Sequence, residues 1–299
     1  SQAWKYFSSV EDGARVTKGW FKVVPAEYLN DDKYDDDEDY WYYADGSGNL
    51  YAGEFKTIKG KKYAFRNDGR MLTGLKFIYE DEDNDNLIVC ADDDDYHPFD
   101  DDDDDFIDVA VDYYAPNGFL CYYFGGGDDG AMRTNKTTAP IGGDTYNFYF
   151  EKSGSNKGAG YTGEKDDKLY QSGLLLKADS DDKYVVVQKQ EVERLANDGG
   201  DKYVTVYKKF DDAEEFLDEV MGEVSANVRV EGEVKEVSAP GMVDVLSTAE
   251  DDSTKIAIGH VSKKAEDLKE AYTWKEAEEG KSGDQKKLQQ TFFLVNTSG

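Results

Sequence analysis

Between residues 41 and 78 the aromatic, apolar and polar positions run through the same order twice. Trp41-Tyr42-Tyr43 leads to Asp45-Gly46, then to Leu50-Tyr51 and Gly53; Tyr63 and Phe65 lead to Asp68-Gly69, then to Met71-Leu72 and Gly74. Aromatic and β-branched residues suit a pleated, half-buried surface, and Asp-Gly supplies the positive φ of a tight hairpin turn. Each unit is therefore predicted to be a β-hairpin. A lone two-stranded ribbon cannot bury its own ring face, so the units are expected to stack.

Fainter copies extend both ways. Upstream, Trp4-Lys5-Tyr6-Phe7 precedes Asp12-Gly13 and Gly19-Trp20; downstream, Asp112-Tyr113-Tyr114 precedes Asn117-Gly118, and Cys121-Tyr122-Tyr123-Phe124 precedes Asp129-Gly130 and Ala131-Met132. Tyr146-Asn147-Phe148-Tyr149-Phe150 and Lys168-Leu169-Tyr170 add two more, ahead of Gly154 and Gly173. The predicted fold class is mainly β: a stacked β-hairpin solenoid with acidic insertions over residues 1–180, then a smaller β-rich (α+β) C-terminal module over residues 181–299. In that second part Val alternates with polar residues at Val204-Thr205-Val206-Tyr207, across residues 224–237, at Met242-Val243-Asp244-Val245-Leu246 and at Ile256-Ala257-Ile258. Thr291-Phe292-Phe293-Leu294-Val295 makes a last strand. One helix is expected from an Asp211 or Asp212 cap to Met221, with Phe216, Leu217, Val220 and Met221 on one side, and a second within residues 263–278.

The residue order resembles the cell-wall-binding repeats of Gram-positive surface proteins, which comprise choline-binding and glucan-binding repeats and the similar repeats of large clostridial toxins. Gly19-Trp20, Trp41-Tyr42-Tyr43 and the run Ile58-Lys59-Gly60-Lys61-Lys62-Tyr63-Ala64-Phe65 through Gly74 carry the resemblance, which does not reach the final third of the chain. It implies a β-solenoid that attaches a secreted or cell-surface protein to wall polysaccharide, teichoic-acid choline or another glycan. On that reading Trp20, Trp41, Tyr43 and Met71 form a ligand cage, and Trp4 and Tyr6 hold the same places one unit earlier. Ring faces hold a quaternary ammonium by cation–π attraction, and a sugar stacks its CH face on the same rings. The chain departs from the family pattern in a longer loop between Trp20 and Trp41, and in Glu54 after Gly53 and Leu75 after Gly74, where the family has Trp.

Composition narrows the partners. A formal charge of −30 over 299 residues opposes any polyanion and excludes nucleic acid. Aromatic residues are 14% of the chain, so rings rather than Leu and Ile supply much of the buried surface. The acidic runs at residues 30–39, 81–86, 92–95 and 100–105 read as solvated loops joining strands. The alternative is calcium: Asp81, Asp83 and Asp85 alternate as the first three ligands of an oxygen-rich loop, and Asp92 stands where a closing carboxylate would sit. Asn86 in place of glycine and the lack of flanking helices set this apart from an EF-hand.

No apolar run approaches the length of a membrane span, and a chain starting at Ser1 without a basic, apolar leader is read as a mature or trimmed form. Cys90 and Cys121 lie in predicted strands, either bonded across neighbouring hairpins or left as two thiols. His97 and His260 lie far apart with no nucleophile or metal signature beside them, and no Gly-x-Ser-x-Gly elbow or His-Glu-x-x-His occurs, so no catalytic site is expected. Two readings remain. One is a non-catalytic, extracellular wall- or glycan-binding protein; the other is an acidic, calcium-stiffened spacer or adhesin contacting a host or surface protein.

Overall fold

The computed structural model describes residues 4–7, 14–81, 87–90, 99, 101–180, 184–195, 201, 203–210 and 292–299. The expected helices at 211–221 and within 263–278, the strands between 224 and 258, the Asp12-Gly13 turn and both histidines lie outside them.

The described residues are mainly β, in small antiparallel sheets with no closed barrel. β1 (Gly19–Val23) pairs with β2 (Tyr40–Ala44), and β3 (Glu54–Ile58) with β4 (Lys61–Phe65). β5 (Leu75–Asp81) lies between β6 (Leu87–Cys90) and β7 (Leu120–Tyr123). β8 (Asn135–Ile141), β9 (Asp144–Phe150), β10 (Gly163–Lys165), β11 (Lys168–Gln171) and β12 (Leu174–Leu175) form one sheet in the order β10-β11-β12-β9-β8. β13 (Tyr184–Glu193) is flanked by β14 (Tyr203–Lys209) and β15 (Phe292–Asn296), so the strands expected at 204–207 and 291–295 are present with shifted ends.

One main-chain pattern recurs from hairpin to hairpin. The return leg closes on the outgoing leg through Val16 N–H to Tyr6 O, Tyr51 to Tyr43, Leu72 to Ala64, Arg133 to Tyr123 and Tyr161 to Tyr149. The residue before each donor reaches the preceding hairpin instead: Leu50 N–H donates to Trp4 O, Met71 to Trp41, Met132 to Lys62 and Gly160 to Cys121. Trp4, Trp41, Lys62 and Cys121 therefore hold equivalent places, as do Leu50, Met71, Met132 and Gly160. Every backbone donor here is spent either within a unit or on the unit before it.

The same bonds correct the expected turn alignment. Gly48 N–H donates to Asp45 O and Gly69 N–H to Arg66 O, and the positive φ falls at Gly48 (77°) and Gly69 (92°). Ser47-Gly48, and not Asp45-Gly46, is thus the counterpart of Asp68-Gly69. Asp45 instead closes the turn from its first residue, its carboxylate accepting the Ser47 and Asn49 amides, each at 2.8 Å.

Two acidic stretches are helical where loops or a hairpin were expected. α1 (Asp31–Asp35) is capped by Asn30, whose side chain accepts the Lys33 amide at 3.0 Å. α2 (Asp103–Val109) is capped by Asp102 and continues into a π-helical turn, Ala110–Tyr114. Three carboxylates in the first turn of α2 face the positive end of the helix, and Phe106, Ile107, Ala110, Val111 and Tyr114 bury at helical spacing. Read with a period of two, that stripe was hidden behind Tyr113-Tyr114.

Cys90 faces Ile78 and Cys121 faces Phe77, from strands on opposite sides of β5, and neither forms a disulfide. Two strand spacings of about 4.8 Å put the pair beyond disulfide reach. The main apolar cluster joins Phe77, Phe106 and Phe148 to Val187, Val206 and Val295, so residues on both sides of position 180 share it. Lys209 of β14, almost wholly buried, pairs with Asp103 at 3.3 Å and with Asp104 at the start of α2. Among the described residues no helix is long and apolar enough to cross a membrane.

Candidate functional site

The β1–β2 register sets Trp20 opposite Tyr43, so the long loop between Trp20 and Trp41 leaves the pairing intact. Alternation along β2 then sends Trp41 and Tyr43 to one face and Tyr42 to the other. Tyr42 packs with Phe21 and Leu50 in one cluster, whereas Trp20, Trp41, Tyr43, Tyr63 and Phe65 gather in a second, over Met71. Met71 arrives there because its amide is bonded to the Trp41 carbonyl.

Trp20 is the hub of that second cluster. Its ring centroid lies 6.3 Å from Trp41 at 88°, 5.1 Å from Tyr43 at 79° and 4.8 Å from Tyr63 at 64°. Two perpendicular ring walls that each touch one cation at about 4.5 Å have centroids roughly 6.4 Å apart. Trp20 and Trp41, which meet edge to face, have that spacing. Trp20, Trp41, Tyr43 and Tyr63 are half-buried, and Met71 is buried beneath them.

Of the six sequence-predicted ring and thioether positions, the structure brings Trp20, Trp41, Tyr43 and Met71 together. Trp4 and Tyr6 lie in the Tyr42 cluster; Tyr6 is tilted against Phe21 at 5.1 Å, and Trp4 against Tyr28, outside the cluster, at 6.3 Å. At the next junctions Lys62 and then Cys121 replace Trp41, and Phe55, opposite Ala64, and then Leu75, opposite Tyr123, stand in the place of Trp20. Leu75 and Cys121 are buried in the main core.

Sequence reasoning missed Lys22 and Asp128. The Trp41 indole Nε1 donates to Asp128 Oδ1 at 2.9 Å, and Lys22 Nζ meets the same oxygen at 3.0 Å while lying 6.0 Å from the Trp41 ring centroid. The Lys22 bond first, then the indole, holds the Asp128 carboxyl below its ordinary range. Asp128 is 87 residues from Trp41, in a glycine-rich loop with no local pattern to reveal the contact. Beside it a cleft of about 430 Å³ runs past Trp41 and Met71 between Lys22, Lys33, Arg66, Arg70 and Lys76. Glu38, Asp39 and Asp128 line the same cleft, and Lys22, Lys33 and Arg70 are paired with Asp128, Asp36 and Asp68, so its charge is mixed.

Asp81 ends β5 opposite Leu87; Asp83, Asp85 and Asp92 lie outside the described residues. Among the described residues no three His, Cys, Asp or Glu side chains are grouped to hold a metal ion.

Among the described residues, main-chain bonds from each hairpin to the one before and rings meeting at the Trp20 junction define a β-hairpin-repeat protein. No family model and no curated protein matches the chain, but its solved structural likenesses are choline-binding proteins. Choline binding protein F of Streptococcus pneumoniae is 22% identical over 58% of this chain and 44% of its own, with a TM-score of 0.19. The multimodular pneumococcal cell wall endolysin from phage Cp-1 is 15% identical over 60% of this chain and 38% of its own, with a TM-score of 0.23. The modular autolysin LytC of the same bacterium is 16% identical over 68% and 36%, with a TM-score of 0.19. The chain thus spans less than half the length of these three, and at such TM-scores the overlap carries no argument about ligands. The ring geometry has to carry it.

Proposed function

We propose that the chain is a non-catalytic, extracellular cell-wall-binding repeat protein whose Trp20, Trp41, Tyr43 and Met71 junction holds the quaternary ammonium of teichoic-acid choline or a similar wall glycan group. The carrying observation is the perpendicular Trp20–Trp41 corner, with its 6.3 Å centroid spacing. A trimethylammonium has no N–H to donate, so ring faces and a nearby carboxylate are what can bind it. Asp128 supplies the carboxylate. The recurring bonds between hairpins favour the stacked reading of residues 1–180, onto which Val187, Val206 and Val295 pack through the shared apolar cluster.

A second reading is favoured by the lysines that already lie on rings of the junction cluster, Lys22 at 6.0 Å from Trp41 and Lys56 at 5.1 Å from Tyr51. In it the rings serve stability alone, calcium at Asp81, Asp83, Asp85 and Asp92 offsets the acidic charge, and the chain is a spacer or adhesin for a protein partner. Choline titration of Trp fluorescence separates the two. Quenching that disappears in a folded Trp41→Ala variant supports the junction; a calcium-dependent rise in Tm with no choline response supports the spacer.

A further inference from the structure

Lys209 closes β14 with its side chain 1% exposed, opposite Val187, a residue of the main apolar cluster. Two carboxylates from the first turn of α2 pair with its ammonium, Asp103 at 3.3 Å and Asp104 beside it. Well-packed apolar side chains in place of a buried ion pair serve stability as well or better, so stability alone does not call for this trio. An amine, a carboxyl and a second carboxyl held together out of water have a further chemistry, condensation. We propose that Lys209 and Asp104 close into an intramolecular amide, with Asp103 carrying the proton.

An ammonium paired with a carboxylate already stands about 3–3.5 Å from its carbon, the separation of a near-attack pair, and such positioning is worth an effective molarity of ~10⁵ M or more. Burial lowers the Lys209 pKa, while Asp104, Asp103 and Asp179 raise it, with a net upward shift. The ion pair is therefore the resting state. Desolvation penalises its charges, so a proton passing from Lys209 to Asp104 leaves a neutral amine facing a neutral acid, and that pair reacts. Nζ bonds to Asp104 Cγ; Asp103 takes a proton from that nitrogen and returns it to the Asp104 hydroxyl, whose bond to Cγ breaks, and one water leaves. Nothing is oxidised or reduced, and Asp103 ends as the carboxylate it was. The Asp104 side chain is 26% exposed against 9% for Asp103, which gives the water its exit at the reacting carboxyl and keeps the proton carrier inside. Closed, the amide fastens α2 to β14, 106 positions apart at Asp103 and Lys209, so that force on one reaches the other through a covalent bond.

Intact mass of the full chain in denaturant, followed by peptide mapping, tests the bond. The wild-type chain is expected to be lighter than its sequence by one water, and its digest to contain a branched peptide joining Asp104 to Lys209. Lys209→Arg keeps the charge without the reactive amine and Asp104→Ala removes the acyl group; each is expected at full mass, with the two peptides separate. Asp103→Asn is expected to slow closure ~100-fold, read as the linked fraction at successive times after synthesis; closure at the wild-type rate overturns the part given to Asp103. A wild-type chain still at full mass after prolonged storage in the folded state, or the same loss of water in Lys209→Arg, overturns the proposal. The wild-type mass decides without any variant, so a variant that fails to fold does not blunt the test.

Discussion

Gly130 lies directly on the Met71 side chain, so that a Cβ added there would collide with Met71 Sδ. Gly158 bears the same relation to Met132, and Met71 and Met132 are equivalent by their bonds to the preceding hairpin. A turn glycine of one unit is thus the seat for the thioether of the unit before, and both glycines have positive φ. Gly130→Ala is expected to cost about 2 kcal/mol from backbone strain and overpacking together. Urea unfolding checks it, and Gly130→Ala with Met71→Ala should cost less than the two single changes summed, because the collision is gone.

The acidic charge hides a buried ionic joint. Lys209 reaches Asp103 and Asp104 across the main core, which ties β14 to α2. Burial alone would lower the Lys209 pKa, but the Asp104 bond and both carboxylates raise it above the ordinary lysine value. Its contribution is therefore complete below the ordinary lysine range and lost only as pH rises through the raised value. Lys209→Met strands two carboxylates and is expected to cost about 3–5 kcal/mol at neutral pH. Urea unfolding of the variant beside the wild-type chain measures it.

How far this was legible in the sequence follows from where the signals lie. The aromatic hairpins, the Gly-Trp pair and Met71 could be read because local alternation and a short repeat encode them. The helix at Asp103–Val109 could not, since its apolar stripe is interrupted by carboxylates that serve as cap and first turn. The turn alignment slipped because Asp45-Gly46 looks like a turn pair, while the chain places its positive φ two residues later. Asp128 was out of reach altogether: its contact with Trp41 exists only once the Tyr123–Arg133 hairpin has come against the Tyr43–Tyr51 hairpin across the Ala64–Leu72 unit between them.

Asp128 gives the junction a pH dependence. Two donors depress its pKa, so the tether to Trp41 is complete above the ordinary carboxylate range and is lost as pH falls through the lower folded value. Trp emission should stay constant through the ordinary carboxylate range and shift only in stronger acid. Asp128→Asn is expected to abolish that acid step and to weaken choline binding; an unchanged step would assign the titration to another group.

Lys22 decides between a ring cluster that binds and one that only packs. Its ammonium lies 6.0 Å from the Trp41 centroid and neutralises Asp128, so it competes for both the ring and the carboxylate that an external cation would use. A contact of this kind on an exposed ring is worth about 0.5–1 kcal/mol. Lys22→Met is therefore expected to tighten choline binding by roughly two- to five-fold, with little change in Tm because the side chain is exposed. If the rings serve packing alone, the same variant gives no choline quenching at any concentration, and its small loss of stability is its whole effect.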